Sequence, residues 1–179
     1  MITPHPDLKL QPITEKDHKK LFDLMKKIYT PAYSHFWIDQ GEWYLELCYN
    51  IDNLKKELAR ERSHYFFIQW SNKTIGILKY DFPFSPREIE IPNAMKLHRL
   101  YLHPSTHGKG IAPKIMTYLE EIAKSNGLDT IWLEAMARQE QAKCFYKKMG
   151  YKLIHSYKLD FERFNPGFEQ IQILQKKLN

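Results

Sequence analysis

The segment best suited to chemistry runs Leu100-Tyr101-Leu102-His103-Pro104-Ser105-Thr106-His107-Gly108-Lys109-Gly110-Ile111-Ala112. Strand-forming residues end at Pro104, a short polar turn follows with two glycines, and an amphipathic helix starts at once. Glycines let backbone N–H groups turn outward and approach an anion closely, and a helix N-terminus adds partial positive charge. A pyrophosphate is held in this way. The same glycines also serve a plain tight connection between strand and helix. Two nucleotide loops are excluded. A Walker-type loop needs Ser or Thr after Gly-Lys to reach Mg²⁺, and here Gly110 follows Lys109. A dinucleotide fingerprint needs a third glycine where Pro113 stands, and it opens a βαβ series rather than arriving late in the chain.

The surrounding pattern defines the elements that must carry this turn. Leu8 to Ile13 alternates apolar and polar residues and reads as a first strand. Thr14 and Asp17 form a capping box with Asp in place of Glu, opening a helix with Leu21, Leu24, Met25 and Ile28 on one stripe. A second helix is expected near Trp43 to Arg62, with Leu45, Leu54 and Leu58 inward. His64–Trp70 and Thr74–Phe82, separated by Ser71-Asn72-Lys73, read as a hairpin. A strand from about Met95 to Leu102 leads into the turn, and a helix from Gly110 to Ser125 leaves it, stopping at Asn126-Gly127. Thr130–Ala135 is a strand, Gln139–Met149 a helix closed by Gly150, and strands near Tyr151–Tyr157 and Gln170–Leu178 finish the chain. This is a mixed α/β domain around one central sheet, and Met95 to Ala135 forms one βαβ unit with parallel strands and a right-handed crossover.

A length of 179 residues fits one domain spanning 1–179. Only Cys48 and Cys144 occur, which excludes a disulfide scaffold and a cysteine zinc site and suits a reducing cytosol. No metal-ligand spacing appears. The start has no secretory pattern, and no apolar run approaches the roughly 18 residues of a membrane span. A cytoplasmic protein with no membrane partner is expected. The formal charge of +6 favours an anionic ligand, such as a phosphate-bearing cofactor, or nucleic acid. Most lysines, among them Lys19, Lys20, Lys26 and Lys27, sit on polar helix faces and read as solvated surface.

The glycine turn resembles the acyl-CoA-binding motif of the GNAT superfamily of N-acetyltransferases, [Arg/Gln]-x-x-Gly-x-[Gly/Ala], with Gly110 and Ala112 in its last two places. Ala142-Lys143-Cys144-Phe145-Tyr146-Lys147-Lys148-Met149-Gly150-Tyr151 resembles that family's later helix pattern, and Ile131-Trp132-Leu133-Glu134 resembles the strand before it. His107 stands where Arg or Gln is usual, Gln139 where Asn is common, and Pro113 removes one helix N–H. The resemblance implies a GNAT acyl-CoA N-acyltransferase fold and acetyl-CoA as cosubstrate, with no metal. It sets Leu100, Tyr101 and Leu102 beside the pantetheine arm. His107, Gly108, Lys109, Gly110, Ile111, Ala112 and Pro113 then lie around the pyrophosphate, with Gln139 and Lys143 as further cofactor contacts. It also implies a backbone oxyanion donor near Leu102 and Tyr146 as general acid toward the leaving thiolate. Glu134 and His98 are the candidate bases, with water as the alternative.

Trp43-Tyr44-Leu45-Glu46 to Leu58, then Tyr65-Phe66-Phe67-Ile68, together with the later motifs, look like bacterial spermidine/spermine N-acetyltransferases. Tyr33, Phe36, Trp37 and Trp43, with Asp39, Glu42 and Glu46 nearby, would hold a cationic amine by cation–π and charge contacts, or simply pack the front helices. The expected function is acetyl transfer to a primary amine of a small molecule, with a polyamine as the first candidate. A protein N-terminus or lysine is the alternative acceptor. A basic nucleic-acid-binding module is the alternative from another class, though no helix-turn-helix, RRM motif or basic tail supports a nucleic-acid partner. A homodimer is compatible with the sequence.

Overall fold

The computed structural model describes residues 1–178. The elements are β1 (Ile2–His5), β2 (Leu8–Pro12), α1 (His18–Tyr33), α2 (Glu42–Tyr49), α3 (Ile51–Leu58), β3 (Ser63–Trp70), β4 (Lys73–Asp81), β5 (Ala94–Leu102), α4 (Ile111–Ser125), β6 (Thr130–Met136), α5 (Glu140–Lys148), β7 (Lys152–Lys158) and β8 (Gln170–Lys177). All eight strands form one mixed sheet in the order β1-β2-β3-β4-β5-β6-β8-β7. Only β5 and β6 pair in parallel, as the βαβ unit requires; the other neighbours are antiparallel.

The sheet is covered on both faces, and β3 shows why its sequence is an unbroken apolar run. Successive strand residues point to opposite faces. Phe66 and Ile68 therefore join the core beneath α4, with Ile115, Met116 and Leu119. Tyr65 and Phe67 join the second core, beneath α1 to α3, with Leu21, Met25, Leu45 and Leu54. The hairpin between β3 and β4 turns through Ser71 and Asn72, both at positive φ, which matches the twist of the paired strands.

Three details depart from the sequence pattern. The helix expected over Trp43–Arg62 is two helices, broken at Asn50, whose extended backbone (ψ 162°) cannot continue α2. Its side chain instead accepts from Asn53 N at 2.8 Å and caps α3. The additional strand β1 is short and contains Pro4, so it carries no readable alternation. The Thr14–Asp17 capping box is present, but it caps a 3₁₀ turn (Glu15–Asp17) that leads into α1.

β5 is the element that opens the site. Its pairing with β4 runs Lys79↔Arg99 and then Tyr80↔Leu97, so His98 is an extra, bulged residue. A bulge bends its strand and increases its twist. The parallel ladder with β6 covers only Ala94↔Thr130 through Leu97↔Leu133 and ends where the bulge begins. Beyond that point β5 stays on β4 and parts from β6. The wall it forms is held close by Gly76 on β4, where a Cβ would lie 2.1 Å from the Tyr101 carbonyl oxygen. Gly76→Ala must therefore displace backbone, and we expect a loss of about 1–3 kcal/mol in urea unfolding. An unchanged unfolding midpoint would show that the wall has slack.

Candidate active site

Where β5 and β6 part, backbone groups lose their ladder partners, and such groups need another partner or water. His103 N donates to Ile75 O at 2.7 Å, so along β5 the N–H groups of Arg99 and Tyr101 also face β4. By alternation the N–H groups of Leu100 and Leu102 face the open wedge, where no strand meets them. These are the residues the sequence assigned to the cofactor arm and the oxyanion donor.

The glycine turn lies at the mouth of the wedge. Gly108 and Gly110 have φ of +77° and +69°, and a Cβ on either would point into open space. Among the described residues, no protein acceptor meets the N–H groups of Gly108, Gly110, Ile111 or Ala112; the α4 ladder begins with Lys114 N to Gly110 O. Four N–H groups without a protein acceptor and the positive end of the α4 dipole thus lie within one short turn. A cavity of about 790 Å³ opens there, lined by Leu100 to Leu102, His107, Gly108, Gly110 to Pro113, Gln139 and Tyr146. Lys109 and Lys143 are not on this wall. Lys143 folds back onto Ala137 O and Glu140, each at 2.8 Å.

A second cavity, of about 230 Å³, lies on the α1–α2 side. The two share Tyr33, Phe36, Leu100, Tyr101, Gln139, Ala142 and Tyr146. Gln139 Nε2 donates to Tyr33 Oη at 2.8 Å across this junction. Tyr146 packs edge-on against Phe145 and Tyr151, and burial, with Tyr33 nearby, raises its pKa well above the ordinary tyrosine value. It is protonated at neutral pH and able to donate.

The other two sequence candidates line the smaller cavity. Glu134 is engaged on both oxygens, by Lys96 Nζ and by the Tyr157 hydroxyl, each at 2.9 Å. His98 Nε2 lies 3.1 Å from Asp81 Oδ2, close but not aligned for a hydrogen bond. Burial pushes the His98 pKa down to about 4 despite Asp81. Asp81 is the centre of a buried cluster, accepting from Lys79 at 2.9 Å, Arg60 at 2.9 Å and Ser63 at 2.8 Å. Burial alone would raise its pKa, but His98, Lys79 and Arg60 hold it far below the carboxylate range.

A model of the acetyltransferase (GNAT) family matches residues 22–151. The chain belongs to the GNAT acetyltransferase family. An uncharacterised N-acetyltransferase from Lactobacillus delbrueckii subsp. lactis is 29% identical over 107 residues, covering 60% of this chain and 62% of the relative. The PaiA N-acetyltransferase of Thermoplasma acidophilum, solved with coenzyme A, superposes with a TM-score of 0.70 at 20% identity over 95% of this chain and 98% of that one. The spermidine/spermine N-acetyltransferase SpeG of Vibrio cholerae is another structural neighbour, with a TM-score of 0.66 at 14% identity, covering 97% and 95%. The mixed sheet with its flanking helices has the GNAT acyl-CoA N-acyltransferase fold.

In this GNAT domain several site features had weak sequence signals. Asp39 accepts from Gly41 N and Trp43 N, and so caps α2; neither it nor Glu42 nor Glu46 lines either of these two cavities. The roof of the smaller cavity comes from the link between β7 and β8. Asn165 N donates to Phe36 O at 2.8 Å, Ile38 N donates to Arg163 O at 2.9 Å, and Phe164 stacks on Trp37. Phe161, Phe164 and Phe168 in one connecting segment were the available signal, since a loop has no other reason to be aromatic.

The low His98 pKa has a measurable consequence. An unfolded histidine titrates near 6.5, so between about pH 4 and 6.5 the unfolded chain holds a proton that the native site refuses. Stability from this group is present above that window and lost as pH falls through it. His64, also lowered by burial, acts in the same direction. Urea unfolding at pH 7 and 4.5 should show an acid loss larger in the wild type than in His98→Gln by about 2 kcal/mol. Equal losses would mean that His98 is not desolvated.

Proposed function

We propose that this chain moves an acetyl group from acetyl-CoA to the primary amine of a small molecule. The observation that carries this reading is the junction of the two cavities at Leu100 and Tyr146. The outward N–H cradle at Gly108 to Ala112 fits a pyrophosphate, and the free edge of β5 fits an amide-bearing arm. Acetyl-CoA, when bound, supplies an electrophilic thioester.

The chain's own contribution is positioning and charge stabilisation. The N–H groups of Leu100 and Leu102 supply preorganised donors for developing oxyanion charge. The Tyr146 hydroxyl, at the junction of the two cavities, would donate to the departing sulfur. A thiol titrates near 8.5 and an ordinary tyrosine near 10, and burial raises Tyr146 further, so complete proton transfer runs uphill. Its help is a hydrogen bond that strengthens as thiolate charge grows. An alkylamine with a pKa near 10.4 is neutral in only about one molecule in two thousand at pH 7, so a proton must leave first. With a pKa of about 4, His98 is a feeble acceptor for that proton. The reading is better supported by a water oriented at Glu134, whose carboxylate faces the acceptor cavity.

A polyamine draws support from the aromatic wall of the smaller cavity. Each cation–π contact contributes about 0.5–2 kcal/mol. Burying an ammonium without a carboxylate partner costs several kcal/mol, on the order of 3–5 where a buried pair is broken. The balance therefore turns on free carboxylates, and Asp39, Glu42 and Glu46 do not reach this wall.

Tyr146→Phe keeps the ring and its packing, so folding and the melting shift caused by CoA should be preserved. Steady-state kinetics should show kcat and kcat/KM falling together by about 10²-fold or less, as expected for a group that acts only in the transition state. Wild-type turnover, with chemistry shown to be rate-limiting, would reduce Tyr146 to packing. Gly110→Val fills the cradle and forces a β-branched residue to φ +69°; it should abolish the CoA-induced rise in Tm. A retained shift would remove the turn from the binding site.

Activity should also rise with pH across the neutral range as the amine loses its proton. In pH–rate profiles, Glu134→Gln should shift that limb while His98→Gln leaves it in place. The reverse pattern would make His98 the base.

A further inference from the structure

Granting that this site acetylates an amine, we infer that its acceptor is a monoamine with a flat aromatic or apolar body, not a polycation or an acidic amine. The reacting nitrogen must sit at the junction where the two cavities meet, which Leu100 and Tyr146 line together with Tyr33, Phe36 and Gln139. The body of the acceptor then extends into the smaller cavity. Its volume of about 230 Å³ is below the roughly 300 Å³ at which drug-sized ligand pockets begin, so the acceptor is small. Its walls are aromatic. Tyr29 stacks on Tyr44 at 4.8 Å, Trp37 stacks on Tyr44 at 5.0 Å, and Phe161 stacks on Phe164 at 5.7 Å beneath the roof.

The charges decide the rest. The ionisable groups facing this cavity besides tyrosine are Glu134, Arg99 and His98; the first two are already paired within the protein, and His98 lies against Asp81 without an aligned hydrogen bond. Glu134 pairs with Lys96 at 2.9 Å. Arg99 pairs with Glu57 at 2.6 Å and lies over the Tyr49 ring. His98 faces Asp81, whose carboxylate also holds Lys79 and Arg60. Glu134 serves one ammonium at most, and only near its own end of the cavity. A second or third ammonium would be stripped of water with no carboxylate to meet it. A carboxylate on the acceptor would likewise have to compete with Glu57 for Arg99. The wall accepts a neutral, polarisable surface, which the aromatic rings are suited to stack on.

The test follows CoA release by the full chain with saturating acetyl-CoA and three probes: phenethylamine, spermidine, and a peptide with a free N-terminus. We expect kcat/KM for phenethylamine to exceed that for spermidine at least tenfold, with the difference residing mainly in KM. Equal or faster turnover of spermidine overturns the inference while leaving amine acetylation standing. Turnover of the peptide alone overturns the inference and the small-molecule reading together. If no probe is acetylated although CoA still raises Tm, the acetyl-transfer reading fails, and the inference with it. A second variant tests the charge argument directly. Leu159→Glu adds an unpaired carboxylate to the same wall. It should move the phenethylamine-to-spermidine ratio toward spermidine by at least tenfold, in protein whose CoA-induced Tm shift is intact. An unchanged ratio in that folded variant would also overturn the inference.

Discussion

The site depends on a parallel ladder that stops. β5 and β6 share four residue pairs and then part, because the bulge at His98 bends β5 while its far end remains locked to β4. An unpaired strand edge in the middle of a sheet would be a costly flaw if it were dry. Here it lines a cavity, so in the function we propose the same N–H groups that lost their ladder serve as donors for a bound arm. The glycine turn extends this logic around the corner. Between Gly108 and Ala112 the chain has four more N–H groups without a protein acceptor, and α4 adds the positive end of its dipole. On the proposed reading, anion and amide recognition come from backbone alone, with His107 and Pro113 standing where a side chain or an extra N–H would otherwise contribute.

The bulge needs support, and a polar cluster supplies it. Lys79 and Asp81, with side chains only 1% and 2% exposed, pair inside the sheet, and Arg60 and Ser63 close around them. Burial lowers the Lys79 pKa, while Glu57 and Asp81 pull it back up. Removing one member of such a set leaves an uncompensated buried charge, which is far more costly than the pair is stabilising. The cluster therefore ties β3, β4 and the turn after α3 to the strand carrying His98. It fixes geometry more than it adds stability.

Much of this was legible in the sequence, and for definite reasons. The turn from Leu102 to Ile111 is local chemistry: strand residues, two glycines and a helical stripe lie in direct succession. Alternation and helical stripes likewise place β2 to β8, α4 and α5 within a residue at their ends, and α1 by its start and stripe, although it runs on to Tyr33 through what reads as a separate aromatic stretch. The break at Asn50 was missed because the apolar stripe continues across it, although Asn50 and Asn53 are the residues that make the new cap. Long-range pairing was harder to read. Nothing in the pattern of Ala94–Leu102 marks His98 as a bulge, since that depends on the register with β4. The insertion of β8 between β6 and β7, and the clamping of the Phe164 segment onto Trp37, are properties of the assembled sheet. For the same reason Lys143 looked available in sequence and is spent on Ala137 and Glu140 in three dimensions.

The central claim is that the backbone freed by the splay, together with the glycine turn, is what holds the cofactor. Amide hydrogen exchange reads those groups one by one. With saturating CoA, the amides of Leu100, Leu102, Gly108, Gly110, Ile111 and Ala112 should exchange at least tenfold more slowly than in the free protein, while those of β1 to β3 stay unchanged. Unaltered exchange at those six amides, in protein shown by its Tm to have bound CoA, would contradict the account.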